Sequence, residues 1–503
     1  MRKKNAVYVA LILCFITYTF IAARHKGMDR VVPGGIEYHA VAMGIAISEL
    51  EHRLEGYRGY TKILNALINN GMTKDPQILE KYGKPFESVV TDGRIMNDAI
   101  QQAVNVKNIS PREGQYSLVR EDIGIVTYYK LAFRIFGYRV ESLFYLYFFV
   151  FLISVIIFIA TYAKRIDLLN FLLLFVCSHY VIVLSAPLAG IELQTVHNDR
   201  FLPVLSILPS IYLAILILSK QRLTFLTFVG AIVQTSILIF VIHVRSGAVY
   251  EIMILCALWA GIVGWYWFRN PHIGRYVFIK VPFWPLGIVF LGIIILKAHL
   301  FLDLHHSYTA VTSRHLFWHP AYLGLGAHPD SQAKYGIVYE CDACGVALVE
   351  RIAYERYGSD WRSLGGYELY ESILKSEYFR ILKQDPRYVI ENYLYKPVIF
   401  LRNYFSSSGA RQYLFRWHII LVLGIGAFLS RGSSLRAYAE FLGILGLSLV
   451  FSLLPTMLAM PTPALIADPS TYLTWIIYMS AVVFFCCMSK KYFQANKWNQ
   501  YSA

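Results

Sequence analysis

Four short stretches of the sequence carry residues able to do chemistry. The first is Gly34-Gly35-Ile36-Glu37-Tyr38-His39-Ala40. Two glycines turn the chain, and a helix is expected to start near Glu37 and run through Ala40, Ala42, Ile45 and Ala46. A first-turn carboxylate meets the positive end of the helix dipole. Held at a membrane boundary, it can take a proton from an incoming hydroxyl. A glutamate that only stabilises its own helix is the simpler account. The second stretch is Arg120-Glu121-Asp122-Ile123-Gly124. Glu121 and Asp122 either cap the following helix, face Glu37 across a cleft, or hold a divalent metal through oxygen ligands. A divalent cation is the one cofactor these acids leave open.

The other two stretches are cationic. In Val196-His197-Asn198-Asp199-Arg200-Phe201, the Arg200 guanidinium suits phosphate oxygens, which it binds through paired donors. Snorkelling to lipid headgroups explains it nearly as well. Further on, His299, His305, His306, His315, His319 and His328 fall close together, with Asp303, Arg314, Trp318 and Tyr322 among them. Arg314, His315 and His319, joined by Lys396, read as a shell that neutralises a phosphate or pyrophosphate leaving group. His315 and His319 share a face if their segment is helical. That spacing also suits zinc, with Cys341-x2-Cys344 supplying thiolates. Interfacial histidines and tryptophan that satisfy loop backbone are a third account. The two cysteines form a disulfide if their loop is in an oxidising compartment, and are thiols otherwise.

These residues need a scaffold, and composition says which kind. The 503-residue chain is 56% hydrophobic and 16% charged, with a mean hydropathy of +0.47. Soluble domains carry about 25% charged residues. The apolar residues sit in blocks of about twenty, the length that crosses a hydrocarbon core. A cytosolic enzyme, a disordered chain and a disulfide scaffold are excluded. The expected fold is an all-α polytopic membrane protein with about ten transmembrane helices. The blocks read as 6–23, 141–162, 168–188, 201–219, 223–243, 250–268, 281–299, 415–430, 436–457 and 471–488.

The net charge of +15, from 47 Lys and Arg against 32 Asp and Glu, reflects topology. Basic residues bunch at block ends, so no nucleic-acid partner is inferred. Arg2, Lys3 and Lys4 place the N-terminus in the cytoplasm, and the run after them is read as a retained anchor. Lys164, Arg165, Lys220, Arg222, Arg269, Arg275, Lys280, Arg431 and Arg436 then fall in cytoplasmic turns, and Lys490, Lys491 and Lys497 in a cytoplasmic tail. The resulting organisation is a first helix (1–23), a first external loop (24–140), helices two to seven (141–299), a second, His-rich external loop (300–414), and three helices with the tail (415–503). Loops this long should hold helices of their own. Ile123 to Arg134 and Tyr388 to Phe405 are amphipathic and suit helices lying in the interface plane. Isolated polar residues within blocks, such as His179 and His418, read as scattered.

The order of these parts resembles the GT-C class of integral membrane glycosyltransferases. That class includes protein O-mannosyltransferases, lipid A aminoarabinose transferases and arabinosyltransferases. Ile36-Glu37-Tyr38-His39-Ala40-Val41-Ala42 resembles the acidic segment after the first span in these enzymes. Glu121 to Gly124, with Phe133-Arg134-Ile135-Phe136-Gly137, is similar to their second loop element, and His197 to Pro203 to the entry of a later span. The class commonly shows adjacent acids in the first loop, whereas here Glu37 stands alone, with Asp29 the nearest acid upstream.

The resemblance implies a polyprenyl-phosphate-linked sugar as donor, a pentose such as arabinofuranose among the candidates. The acceptor would be a surface protein, lipid or polysaccharide, and the active site would lie on the external face of a bacterial plasma membrane. Glu37 would act as base in an inverting transfer, Glu121 and Asp122 beside it, while Arg200, Arg314, His315, His319 and Lys396 would bind donor phosphate. A polytopic transporter or lipid flippase is the alternative, and a zinc-dependent membrane hydrolase the third reading.

Overall fold

The computed structural model describes residues 3–30, 36–51, 93–106, 124–185, 196–198, 201–218, 224–269, 281–303, 317–339, 341–406, 413–429, 435–458 and 467–501. Among them all regular structure is helical. The chain runs α1 (Lys3–His25), α2 (Ile36–Glu51), α3 (Gly93–Val104), α4 (Gly124–Phe136), α5 (Glu141–Tyr162) and α6 (Ile166–Ser185). It continues through α7 (Val204–Leu218), α8 (Phe225–Val244), α9 (Tyr250–Arg269) and α10 (Trp284–Asp303). Short helices follow: α11 (Trp318–Leu323), α12 (Ser331–Tyr335), α13 (Asp342–Tyr357) and α14 (Trp361–Leu364). The last five are α15 (Gly366–Gln384), α16 (Pro386–Ser406), α17 (Trp417–Leu429), α18 (Leu435–Leu458) and α19 (Ala467–Tyr501).

Among the described residues six segments are long and apolar enough to cross a membrane: α1, α5, α6, α8, Ser246–Arg269, which contains α9, and Ala467–Cys487 of α19. Shorter apolar helices, Val204–Leu218, Trp284–His299, Trp417–Leu429 and Tyr438–Leu454, coincide with the other apolar blocks. The last helix extends to Tyr501, well past the boundary at 488 read from hydropathy. An apolar helix satisfies every backbone group internally, which is why such blocks have few alternatives in lipid. The centre of the bundle is α6, buried from Leu168 to Leu184, and α1 and α19 pack on it. A helix apolar all round is the kind that other helices enclose. Polar links fix neighbours in register. Ser154 Oγ donates to Gln234 Oε1 at 2.7 Å, and Gln234 Nε2 returns a bond to the Ser154 carbonyl at 2.8 Å, locking α5 to α8. The Trp475 indole donates to the Phe171 carbonyl.

Two helical units occupy one end of the bundle. The first is α2 to α4. Lys130 pairs with Glu49, and the Tyr138 hydroxyl donates to Glu51, so α2 is tied to α4 and the turn after it. Asn97 of α3 accepts from the Val140 N–H and donates to Glu141, capping α5. At the other end of α4, Thr127 meets His243 of α8, and Gly124 lies so close that a Cβ there would sit 2.1 Å from the His243 carbonyl oxygen.

The second unit, α11 to α16, has its own core of Tyr322, Leu325, Val349, Trp361, Leu374 and Ile381 among others. Its α16 reaches the C-terminal end of α18 and the first turns of α19. The start of α19 is bonded to the start of α9, which follows directly on the end of α8 that carries α4. Both units therefore crown the same end.

Candidate functional site

At the crowned end, two carboxylates are sealed inside the bundle. Glu251 and Asp468 are each the second residue of their helices, α9 and α19. Both are buried. The Tyr250 hydroxyl donates to Asp468 Oδ2 at 2.7 Å, and the Tyr472 hydroxyl donates to Glu251 Oε1 at 2.8 Å. The arrangement is reciprocal: each helix offers one acid and one tyrosine, and each tyrosine serves the acid of the other helix. First-turn positions suit carboxylates because exposed amide dipoles point at them. The 3-10 turn Ser246–Val249 brings the chain from α8 straight into α9, which fixes Glu251 at this end.

The tyrosines use only half of the acceptors. Glu251 Oε2 and Asp468 Oδ1 have no hydrogen-bond partner among the described residues, and no described cation pairs with either acid. The hydroxyls of Ser210, next to Glu251, and Ser448, next to Tyr472, are likewise buried without a bond of good geometry. Buried polar atoms are nearly always satisfied, so these four call for a partner beyond the described residues. Charge balance in a low-dielectric interior calls for a proton or a cation on such a pair.

Aromatic and histidine side chains line the neighbouring helices. The Tyr147 hydroxyl and His179 Nε2 lie 2.8 Å apart, and the His179 ring stacks on Phe151 at 3.9 Å. His179 is thus a bonded member of the α5–α6 interface, where the sequence showed only a scattered polar residue. Phe201 meets the Tyr147 ring, and the turn at 196–198 is buried with His197 inside it.

From the second crowning unit comes a buried cation. Along α16 one face, Asn392, Lys396, Phe400 and Tyr404, is covered. Tyr404 Oη bonds Thr474 Oγ1 at 2.7 Å, and Lys396 Nζ donates to the Met457 carbonyl at 2.6 Å and lies 4.5 Å from the Tyr393 ring centroid. Burial pushes the Lys396 ammonium down to about 7. The opposite face, Ile390, Leu394, Val398, Leu401 and Phe405, is an exposed apolar stripe. Such a helix suits a bilayer interface.

The sequence candidates fare differently. Glu37 is in the first turn of α2, as expected, and its side chain lies outside the described residues. Glu121, Asp122, Arg200, Arg314 and His315 also lie outside them. His319 is in place on α11, with both ring nitrogens engaged: Nδ1 with the Tyr370 hydroxyl at 2.6 Å and Nε2 with Asp342 at 3.2 Å. Glu371 accepts from the backbone N–H groups of Phe317, Trp318 and His319, which pins the start of α11.

Lys396 is the candidate that the structure carries to the bundle. Glu251 and Asp468 were missed. The signal available was an isolated acid at the edge of an apolar block with a tyrosine one residue before it or four after. Zinc loses the thiolates it would need, because Cys341 and Cys344 are joined as a disulfide. Among the described residues no group of three or more His, Cys, Asp or Glu could hold a metal. No protein-family model matches the chain, and neither the curated proteins nor the solved structures yield a match.

Proposed function

We propose that the protein is a membrane glycosyltransferase of the GT-C kind, moving a sugar from a polyprenyl-phosphate donor to a hydroxyl of a surface protein, lipid or polysaccharide. The observation that carries this reading is the pair of buried carboxylates with unused oxygens at the end of the bundle that both helical units crown. A lipid-linked donor has its reacting carbon at the membrane boundary, and acids at helix starts lie at a boundary rather than at mid-membrane. In this proposal there are ten spans with both termini in the cytoplasm, and the crowned end faces outward. The basic turns support that orientation, and so does a disulfide in the second unit.

The acceptor hydroxyl gives its proton to a carboxylate as the anomeric carbon parts from phosphate through an oxocarbenium-like state. Glu251, Asp468 and Glu37 are the proposed acids, together with Glu121 and Asp122. Arg200, Arg314, His315 and Lys396 balance the phosphate charge. His319 has both ring nitrogens committed, so it is left out of that set. A divalent cation held by the acids fits the same charge requirement.

The test uses membranes holding equal amounts of folded wild-type protein, Glu251→Gln, Asp468→Asn and Glu37→Gln. Each is given synthetic polyprenyl-phosphate arabinofuranose and hexose donors, and release of polyprenyl phosphate is followed by mass spectrometry. Release by the wild type and a fall of a hundredfold or more in at least one acid variant is expected. Wild-type rates in all three variants would refute the assignment.

Ion-coupled transport is a second reading, favoured by the burial of the same acids between helices of the bundle. It predicts a cation or proton flux in proteoliposomes that Glu251→Gln abolishes while no donor is consumed.

A further inference from the structure

Cys341 and Cys344 are disulfide-bonded across the first turn of α13, in the second crowning unit. We propose that this pair is an exchange-active dithiol–disulfide couple that trades electrons with a partner dithiol, an activity separate from sugar transfer.

A structural role is poorly served by this bond. A cross-link stabilises mainly by restricting the unfolded chain, and the effect shrinks with the loop it closes. Here the loop spans a sequence separation of 3. Its backbone is already fixed: the Cys344 N–H donates to the Cys341 carbonyl at 3.0 Å, and the Gly345 N–H to the same oxygen at 3.3 Å. The surrounding unit is held by its own apolar core, not by the sulfurs.

The setting favours a thiolate instead. Cys341 is the N-cap of a 16-residue helix, and its Sγ accepts from the Cys344 N–H at 3.2 Å. A sulfur at a helix N-terminus with an amide donor holds negative charge well, which makes it a good leaving group and a reactive nucleophile. The neighbouring acid that would oppose that charge, Asp342, is engaged by His319 Nε2, and Tyr370 fixes the other side of the imidazole. The ring packs on Gly345, where an added Cβ would lie 3.2 Å from His319 Cε1. Both sulfurs belong to half-exposed residues. The five other cysteines all lie in apolar helices.

In the exchange a partner thiolate attacks Cys341 Sγ, the Cys341–Cys344 bond breaks, and the Cys344 sulfur leaves as a thiolate and takes a proton. The second thiol of the partner then attacks the mixed disulfide and releases Cys341. Two electrons and two protons pass from the partner to this chain, and the partner ends as a disulfide. The reverse sequence reduces a partner disulfide and restores the Cys341–Cys344 bond.

The experiment uses the full chain in mild detergent, equilibrated in glutathione redox buffers of graded ratio. Alkylation and mass spectrometry of the peptide carrying residues 341–344 give the reduced fraction. Hydrogen exchange across α13 and α15 monitors the fold of the unit. An exchange couple is half-reduced within the glutathione range and keeps its exchange protection when reduced. A disulfide that stays oxidised throughout, or a unit that unfolds on reduction, would overturn the proposal. In Cys344→Ser, the Cys341 thiol should react with iodoacetamide at pH 6.5 at least tenfold faster than glutathione does. An equal or slower rate would also overturn it. Donor consumption is unaffected by either outcome, so the redox proposal and the transferase reading fail independently.

Discussion

Lys396 ties the stability of the protein to pH in a direction that can be worked out in advance. Its side chain is fully buried, its Nζ has a carbonyl and an aromatic face for company, and burial pushes its ammonium down to about 7 from an ordinary 10.5. Between those two values the unfolded chain binds a proton that the folded chain has released. Stability therefore rises with pH across this window and is flat below about 7, where both states are protonated. At about 1.4 kcal/mol per pH unit the full rise is about 5 kcal/mol.

The assay is chemical denaturation of the full chain in detergent at pH 6.5 to 9.5, followed by the fluorescence of Trp318 and Trp361 in the unit that α16 closes. Burial pushes the Tyr322 hydroxyl of that unit up to about 12, so it stays protonated there. Lys396→Met keeps the length and the apolar stem while removing the charge. It should gain about 2 kcal/mol or more at pH 7 and lose most of the pH dependence. A methionine variant with an undiminished slope would refute the reasoning.

Two further perturbations test how the crown is held. Glu371→Ala removes the acceptor for three backbone N–H groups at the start of α11 and should cost about 2 kcal/mol. Hydrogen exchange at 317–323 is the readout, and unchanged protection there counts against the cap. Gly124→Ala drives a methyl into the His243 backbone and should displace α4 from α8, at about 3 kcal/mol. A thermal midpoint in detergent equal to that of the wild type would show that α4 is not held there.

The apolar helices were legible because an apolar block of that length has one economical conformation in lipid. The amphipathic stretches at 123–134 and 388–405 were legible for a related reason, and α4 and α16 formed there. The pairing of Glu251 with Asp468 was not legible. Its bonds join residues 218 and 221 positions apart, and nothing local to either acid announces the other. Motif reading favoured acids that lie near glycines and near each other in the chain. The acids brought together by packing stand alone in sequence, each at the edge of an apolar run.

Lys396 shows how the surroundings invert a familiar rule. In water the more apolar stripe of a helix turns inward. On α16 the stripe through Ile390, Leu394, Val398 and Leu401 turns out, while Asn392 and Lys396 turn in with Phe400 and Tyr404. That orientation is favourable where the outside is itself apolar, as it is at a bilayer interface. The same logic explains the acids. In a chain whose exterior is lipid, the places where polar groups concentrate are interior, and a lone carboxyl at the edge of an apolar block is better read as facing a partner than as facing solvent. On α9 and α19, Glu251 and Asp468 face such partners, each the tyrosine of the other helix.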